Sequence, residues 1–222
     1  MTKQIGILIL ALSACASRAE LTNLTVSASV NTPIPDANVT GVSSSLSVSG
    51  MYADISDLSV SLNITGGFNG DLYAYLLSPD NSMVVLLNRV GLGTSNPFGY
   101  SDAGFNISLS AAGYNVHDYQ NYGPSFSGGQ LTGSWAPDRR TIDPQSAASA
   151  FDAAPTGNNF NAYFGANPNG MWTLFVADVS GGNQSELVSW GLTIATVPEP
   201  QTWTLLSGGL TALWWLKRKR RK

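Results

Sequence analysis

Apolar residues alternate with Ser, Thr and Asn along most of this 222-residue chain, so its period is two and not 3.6. Leu58-Ser59-Val60-Ser61-Leu62-Asn63-Ile64 and Leu24-Thr25-Val26-Ser27-Ala28-Ser29-Val30 have the pattern of half-buried strands. Leu46-Ser47-Val48 belongs to another. Residues 73–77 and 83–87 are more continuously apolar, as strands nearer the centre of a sandwich should be. Residues 171–176 and 187–194 close the series, and 104–109 predicts a further strand. Turns fall at Gly66-Gly67, Ser78-Pro79-Asp80-Asn81, Asn167-Pro168-Asn169-Gly170 and Gly181-Gly182-Asn183. Seven or more short strands without a sustained helical period predict an all-β fold, an antiparallel jelly-roll sandwich of about eight strands.

Two stretches at the ends break that rhythm. Lys3, the apolar run 5–12 and the small residues Ser13-Ala14-Cys15-Ala16-Ser17 form the charged, greasy and cleavable parts of a secretory signal peptide, expected over 1–19. Cleavage by signal peptidase fits after Ala16 or after Ala19. Leu12-Ser13-Ala14-Cys15 also resembles a bacterial lipobox, in which Cys15 would carry lipid. At the other end come Val197-Pro198-Glu199-Pro200, an apolar run over 203–216 and a basic block over 217–222. As a helix that run rises about 21 Å, short of the roughly 30 Å hydrocarbon core. A cationic block after an apolar helix holds that end in the cytoplasm.

The tail resembles the PEP-CTERM sorting signal of Gram-negative bacteria, matching at Pro198, Glu199 and Pro200 with the apolar and basic blocks in the same order. The resemblance implies transient attachment to the inner membrane through 203–216. It also implies cutting by an exosortase near Pro-Glu-Pro, and delivery to the cell envelope, cell surface or extracellular matrix. Trp203, Trp214 and Trp215 depart from the usual tail, which is less rich in Trp. An ordinary tail anchor is the competing reading.

Charge changes the picture of the body. Six of the 11 basic residues lie in the tail and two in the leader, leaving only Arg89, Arg139 and Arg140 between residues 20 and 196. Thirteen of the 14 acidic residues share that span, so the body carries a net −10 and no lysine. Such a surface repels nucleic acid and attracts divalent cations. The single cysteine, Cys15, lies in the leader, so the body has no disulfide and must stand on its core.

Two separated motifs sharpen the fold. One is Leu58-x-Val60-x-Leu62-x-Ile64 with Gly70-Asp71-Leu72, Leu76-Leu77-Ser78-Pro79-Asp80 and Leu86-Leu87-Asn88-Arg89. The other is Asn169-Gly170-x-Trp172-x-Leu174-x-Val176-x-Asp178, then Gly181-Gly182 and Leu187-x-x-Trp190-x-Leu192. Together they resemble the P domain (P/homo B domain) that follows the catalytic domain of kexin- and furin-like subtilases. The resemblance covers about 50–195, implies an eight-stranded jelly roll in a domain over 20–195, and fits poorly across 96–165, a Gly- and aromatic-rich loop region. A region that long is expected to carry function or hidden strands.

The residues that could carry chemistry are few. His117, the only histidine, stands beside Asp118 in a pairing unlike a catalytic triad, and there is no Gly-x-Ser-x-Gly elbow. His117 is expected to be a loop residue, and in the subtilases the catalytic groups lie in another domain. Without His or Cys clusters, a metal would need hard oxygen ligands, which points to Ca²⁺ with Asp71, Asp102 and Asp178 as ligand candidates. The alternative is that these aspartates cap turns. Trp135, Tyr114, Tyr119 and Tyr122 are candidates for stacking on sugar rings, whereas Trp172 and Trp190 fall on core positions of strands. Five Asn-x-Ser/Thr triplets, at Asn23, Asn38, Asn63, Asn106 and Asn183, follow from the composition and carry no weight.

The sequence therefore predicts an exported, non-catalytic surface or matrix protein that binds calcium or carbohydrate, with exopolysaccharide as the expected partner and no nucleic acid. The rival is an accessory P-domain module for a separate subtilisin-like serine endopeptidase. A hydrolase in its own right, dependent on His117, ranks third.

Overall fold

The computed structural model describes residues 22–197 and, beyond them, only positions 209, 213, 214, 217 and 218. The expected leader, Pro198-Glu199-Pro200 and most of 203–222 lie outside the described residues. Among those described, no helix is long and apolar enough to cross a membrane. In the terminal unit, Met1–Glu20 with Pro198–Lys222, the Arg218 guanidinium lies 5.3 Å from the centre of the Trp214 ring.

The unit Leu21–Val197 is built from ten strands: β1 (Thr22–Ile34), β2 (Asn38–Val48), β3 (Ile55–Gly66), β4 (Leu72–Leu77), β5 (Met83–Asn88), β6 (Gly104–Ser110), β7 (Ser125–Ser127), β8 (Gln130–Trp135), β9 (Gly170–Asp178) and β10 (Ser185–Thr196). One sheet runs β1-β10-β3-β6-β8-β7 and the other β2-β9-β4-β5. The all-β sandwich expected from the period of two is the fold found. It has ten strands where about eight were expected, and β6 and β8 run parallel where the pattern predicted antiparallel pairs throughout. The extra strands, β7 and β8, lie in the long middle region. That region also holds β6, the 3-10 turn Val116–Tyr122 and the 3-10 turn Phe160–Tyr163.

Alternation places the core. Leu58, Val60, Leu62 and Ile64 of β3 are buried, while Ser61 between them is exposed and Ser59 and Asn63 are half-buried. They join Leu72, Ala74 and Leu76 of β4 and Trp172, Leu174 and Val176 of β9 in one cluster spanning both sheets. Trp172 and Trp190 are buried as their strand positions predict. Each such ring removes roughly 150–250 Å² from water, about 4–6 kcal/mol of transfer free energy. Their N–H groups stay bonded: Trp172 Nε1 donates to the Pro168 carbonyl at 2.9 Å, and Trp190 Nε1 to Ser44 Oγ of the facing sheet at 2.9 Å. Tyr163 meets Trp172 edge-on at 5.1 Å and donates its hydroxyl to the Leu76 carbonyl.

The β1–β10 ladder sets the geography of the site. It pairs Thr22 with Thr196 at one end and Ile34 with Ser185 at the other. The four-stranded sheet pairs Asp178, the last residue of β9, with Leu72 on one side and Asn38 on the other. Asp36 follows the end of β1 and Asp71 precedes β4, so both fall near Asp178.

Candidate functional site

Asp36, Asp71 and Asp178 gather at this end because three strand termini meet there. The Val179 amide donates to the Asp71 carbonyl at 2.9 Å, tying the end of β9 to the start of β4. The Gly182 amide donates to Asp36 Oδ1 at 3.1 Å, and a Cβ placed on Gly182 would lie 3.8 Å from Asp71 Oδ2. Asp36 and Asp71 therefore flank the Gly181-Gly182 turn. Asp178 is 0% exposed. Its Oδ2 accepts from Ser185 Oγ at 3.4 Å, and its Oδ1 has no hydrogen-bond partner.

One cation faces this group. Arg89 Nη2 lies 3.5 Å from Asp71 Oδ1, while its Nε donates to the Gly70 carbonyl at 3.0 Å. Burial raises the Asp71 carboxyl above the usual carboxylate range, and Arg89 works against that rise. Burial, and next the charge of Asp71, push Asp178 up to about 6. Asp71 also lines an open cleft with Phe68, Phe98, Tyr100 and Ser180, which gives solvent a way to this carboxylate. Among the described residues, no three His, Cys, Asp or Glu side chains converge closely enough to hold a metal by themselves.

Asp102, the third calcium candidate, has a different use. Its Oδ2 accepts from Tyr119 Oη and from Gln120 Nε2, both at 2.6 Å. Asn69 joins that network, donating Nδ2 to Tyr119 Oη at 3.2 Å and accepting from the Gly104 amide at 2.8 Å. The carboxylate ties two parts of the middle region together, and Asn69 fastens that network to the segment just before β4.

The aromatic candidates divide. Trp135, expected to be exposed in a loop, closes β8 at only 6% exposure and donates Nε1 to the Thr132 carbonyl. Tyr119 is likewise buried, and burial, with the Asp102 hydrogen bond next, pushes its hydroxyl far above the usual tyrosine range. Both expectations of sugar stacking are corrected: unrecognised strands and turns fold these rings inward, with an edge-to-face contact of 6.1 Å between them. Tyr114 and Tyr122 remain outside. Tyr114 precedes the Val116–Tyr122 turn and Tyr122 ends it; at 61% and 45% exposure they stack with centroids 3.9 Å apart and planes 8° from parallel. Sequence reading passed over a second group, Tyr73, Tyr75 and Phe175, half-buried on the outer face of the four-stranded sheet. Tyr75 and Phe175 stack there at 4.8 Å. Their signal was the partner position in the apolar alternation of β4 and β9.

His117 is a loop residue but not an exposed one. Its Nδ1 lies 2.8 Å from Asp138 Oδ2 and its Nε2 3.2 Å from the Leu92 carbonyl, so each ring nitrogen faces an acceptor. Asp138, missed in the sequence, is fully buried and also receives the Asn88 amide at 3.0 Å and Arg140 Nη1 at 3.0 Å. Its partner is thus 21 residues away, while the sequence neighbour Asp118 turns to Arg140 at 3.9 Å.

No family model and no curated protein matches the chain. Two solved structures resemble it at 16% identity. One is the complex of the Aeromonas sobria serine protease with the chaperone ORF2 (TM-score 0.46; 82% of this chain, 28% of that one). The other is the serine protease of Aeromonas sobria (TM-score 0.44; 80% of this chain, 27% of that one). The chain spans less than a third of the length of either matched chain, and likeness this distant carries no argument about what it does.

Proposed function

We propose that this chain is an exported, non-catalytic module of the cell surface or extracellular matrix of a Gram-negative bacterium, which holds polysaccharide. The leader pattern and the Pro198-Glu199-Pro200 tail support the route: removal of 1–19 by signal peptidase, transient inner-membrane attachment through 203–216, then cutting by an exosortase-type enzyme. The binding side rests on one observation, the Tyr114–Tyr122 pair, whose rings stack on one another while both residues remain exposed. Flat, exposed rings of this kind stack against the C–H faces of pyranose sugars. The placement of His117 supports a structural role, since neither ring nitrogen is left for a substrate.

Two measurements test this reading. Fractionation with intact mass should find a product in the envelope or medium that ends near Pro198, with Cys15 removed. A chain that keeps its tail in the inner membrane would overturn the route. Exopolysaccharide from the producing strain should bind the purified protein, and the Tyr114→Ala/Tyr122→Ala double variant should bind about tenfold more weakly, the equivalent of about 1.4 kcal/mol. Unchanged binding would sink the platform.

A second reading has its own support in the paired motifs around Gly70-Asp71-Leu72 and Asn169-Gly170-x-Trp172, which resemble those of subtilase P domains. In it, the chain is an accessory module that stabilises or targets a separate subtilisin-like serine endopeptidase and so serves proteolysis. Pull-down from culture medium separates the two: polysaccharide favours the first, a co-purifying subtilase the second.

A further inference from the structure

The end of the sandwich holds an electrostatic problem that its own side chains do not solve. Asp178 is completely buried with Oδ1 unbonded, and the nearby charges are two further carboxylates against the single Arg89. A buried carboxylate without its partners is costly, and native folds seldom leave one so. Arg89 is directed elsewhere: it faces Asp71 Oδ1 and the Gly70 carbonyl, and Asp178 Oδ1 stays without a partner. A cation entering from the cleft beside Asp71 would supply one.

We propose that Asp71 and Asp178, with the Ser185 hydroxyl, nearby backbone carbonyls and water, form a calcium site at this end of the four-stranded sheet, with Asp36 adding a third negative charge across the Gly182 turn. The sequence offered Asp71 and Asp178 only as separate candidates; the strand pairings bring them to one place and add Asp36. The donor set decides the ion. All the available ligands are hard oxygens, which excludes a zinc-type site. Two carboxylates with hydroxyl, carbonyl and water oxygens suit the flexible six- to eight-fold coordination of Ca²⁺ better than the strict octahedron of Mg²⁺. That only two carboxylates reach the ion agrees with the lack of a three-residue cluster among the described residues. It also places the affinity in the weak range, about 10⁻⁴ to 10⁻³ M, used by extracellular modules. The site is independent of the polysaccharide reading, since it needs neither tyrosine of the exposed pair.

The test uses the full-length chain stripped with chelator. At 10 mM Ca²⁺ the thermal midpoint should rise by about 5–10 °C, and equal Mg²⁺ should give much less. Asp178→Asn should fold and lose the calcium-dependent shift. If it does not fold, Asp36→Asn decides the matter: titration calorimetry should show calcium affinity about tenfold weaker, as expected of a group just outside the coordination sphere. Asp54→Asn, an exposed carboxylate elsewhere, should leave the response intact. Three results would overturn the proposal: no calcium shift in the parent, a full shift retained in Asp178→Asn, or equal weakening by Asp54→Asn and Asp36→Asn. The last would mean diffuse attraction to an acidic surface.

Discussion

The paired strands β3–β10 and β4–β9 and the middle region 96–165 are held together in different ways. In the first, apolar side chains alternate with polar ones and bury by area, as Leu58, Val60, Leu62 and Ile64 do. In the second, buried polar hubs organise the chain. Asp138 gathers the Asn88 amide, His117 and Arg140, and Asp102 gathers Tyr119 and Gln120. Burial by area tolerates changes of shape in small steps. A polar hub is nearly all-or-none, since losing one member leaves the others buried without partners.

The contrast is sharpest where the strands carry the load. Trp172→Ala should cost about 3–5 kcal/mol and lower the midpoint of the whole domain, visible by calorimetry as one shifted transition. An unaffected midpoint would show that the strand core is not the common foundation.

Asp138→Ala should cost somewhat less, about 3 kcal/mol, and act locally. Proteolysis should speed up between 138 and 157, while hydrogen exchange in β3 and β10 stays slow. If those amides lose protection together with the loop, the two regions are a single cooperative unit and the contrast fails.

A third effect is set by pH in chelator-treated protein. Asp178 has a folded value of about 6 against 3.8 for the free side chain, so the folded state holds the proton more tightly. Its contribution is complete below about pH 4 and is lost as pH rises to about 6. Asp71 shifts in the same direction, and Asp36 and Arg89 are the other charges facing the pair. The loss is on the order of 2–3 kcal/mol. Asp178→Asn should flatten the stability profile over that window; a profile as steep as the parent's would place the effect on another carboxyl. Smallest of all, Tyr114→Ala alone should change stability by less than about 1 kcal/mol, because the ring it exposes was already in water.

The same contrast explains what was legible in the sequence. A period of two is a local signal, so β3, β6, β9 and β10 could be read within a few residues of their ends. β8 escaped because Gly133 breaks its alternation and because its partner β6 lies parallel, which no hairpin turn announces. With β8 unrecognised, Trp135 looked like a loop ring. The hubs were harder still: nothing near His117 points to Asp138, since the contact is made by the fold and not by spacing. The acidic end falls between these cases. Asp71 and Asp178 stood out as strand-end aspartates, but their meeting with Asp36 depends on which strands are neighbours.

The β1–β10 ladder has a mechanical consequence. Thr22 and Thr196 face each other, so the chain enters and leaves the domain at the same pole. β1 is the outermost strand of its sheet, and its side chains are at best half-buried until Ile34. Tension applied between the two ends would therefore load the ladder pair by pair, peeling β1 away like a zipper, and never all its bonds at once in shear. Such a domain yields at low force when both ends are pulled.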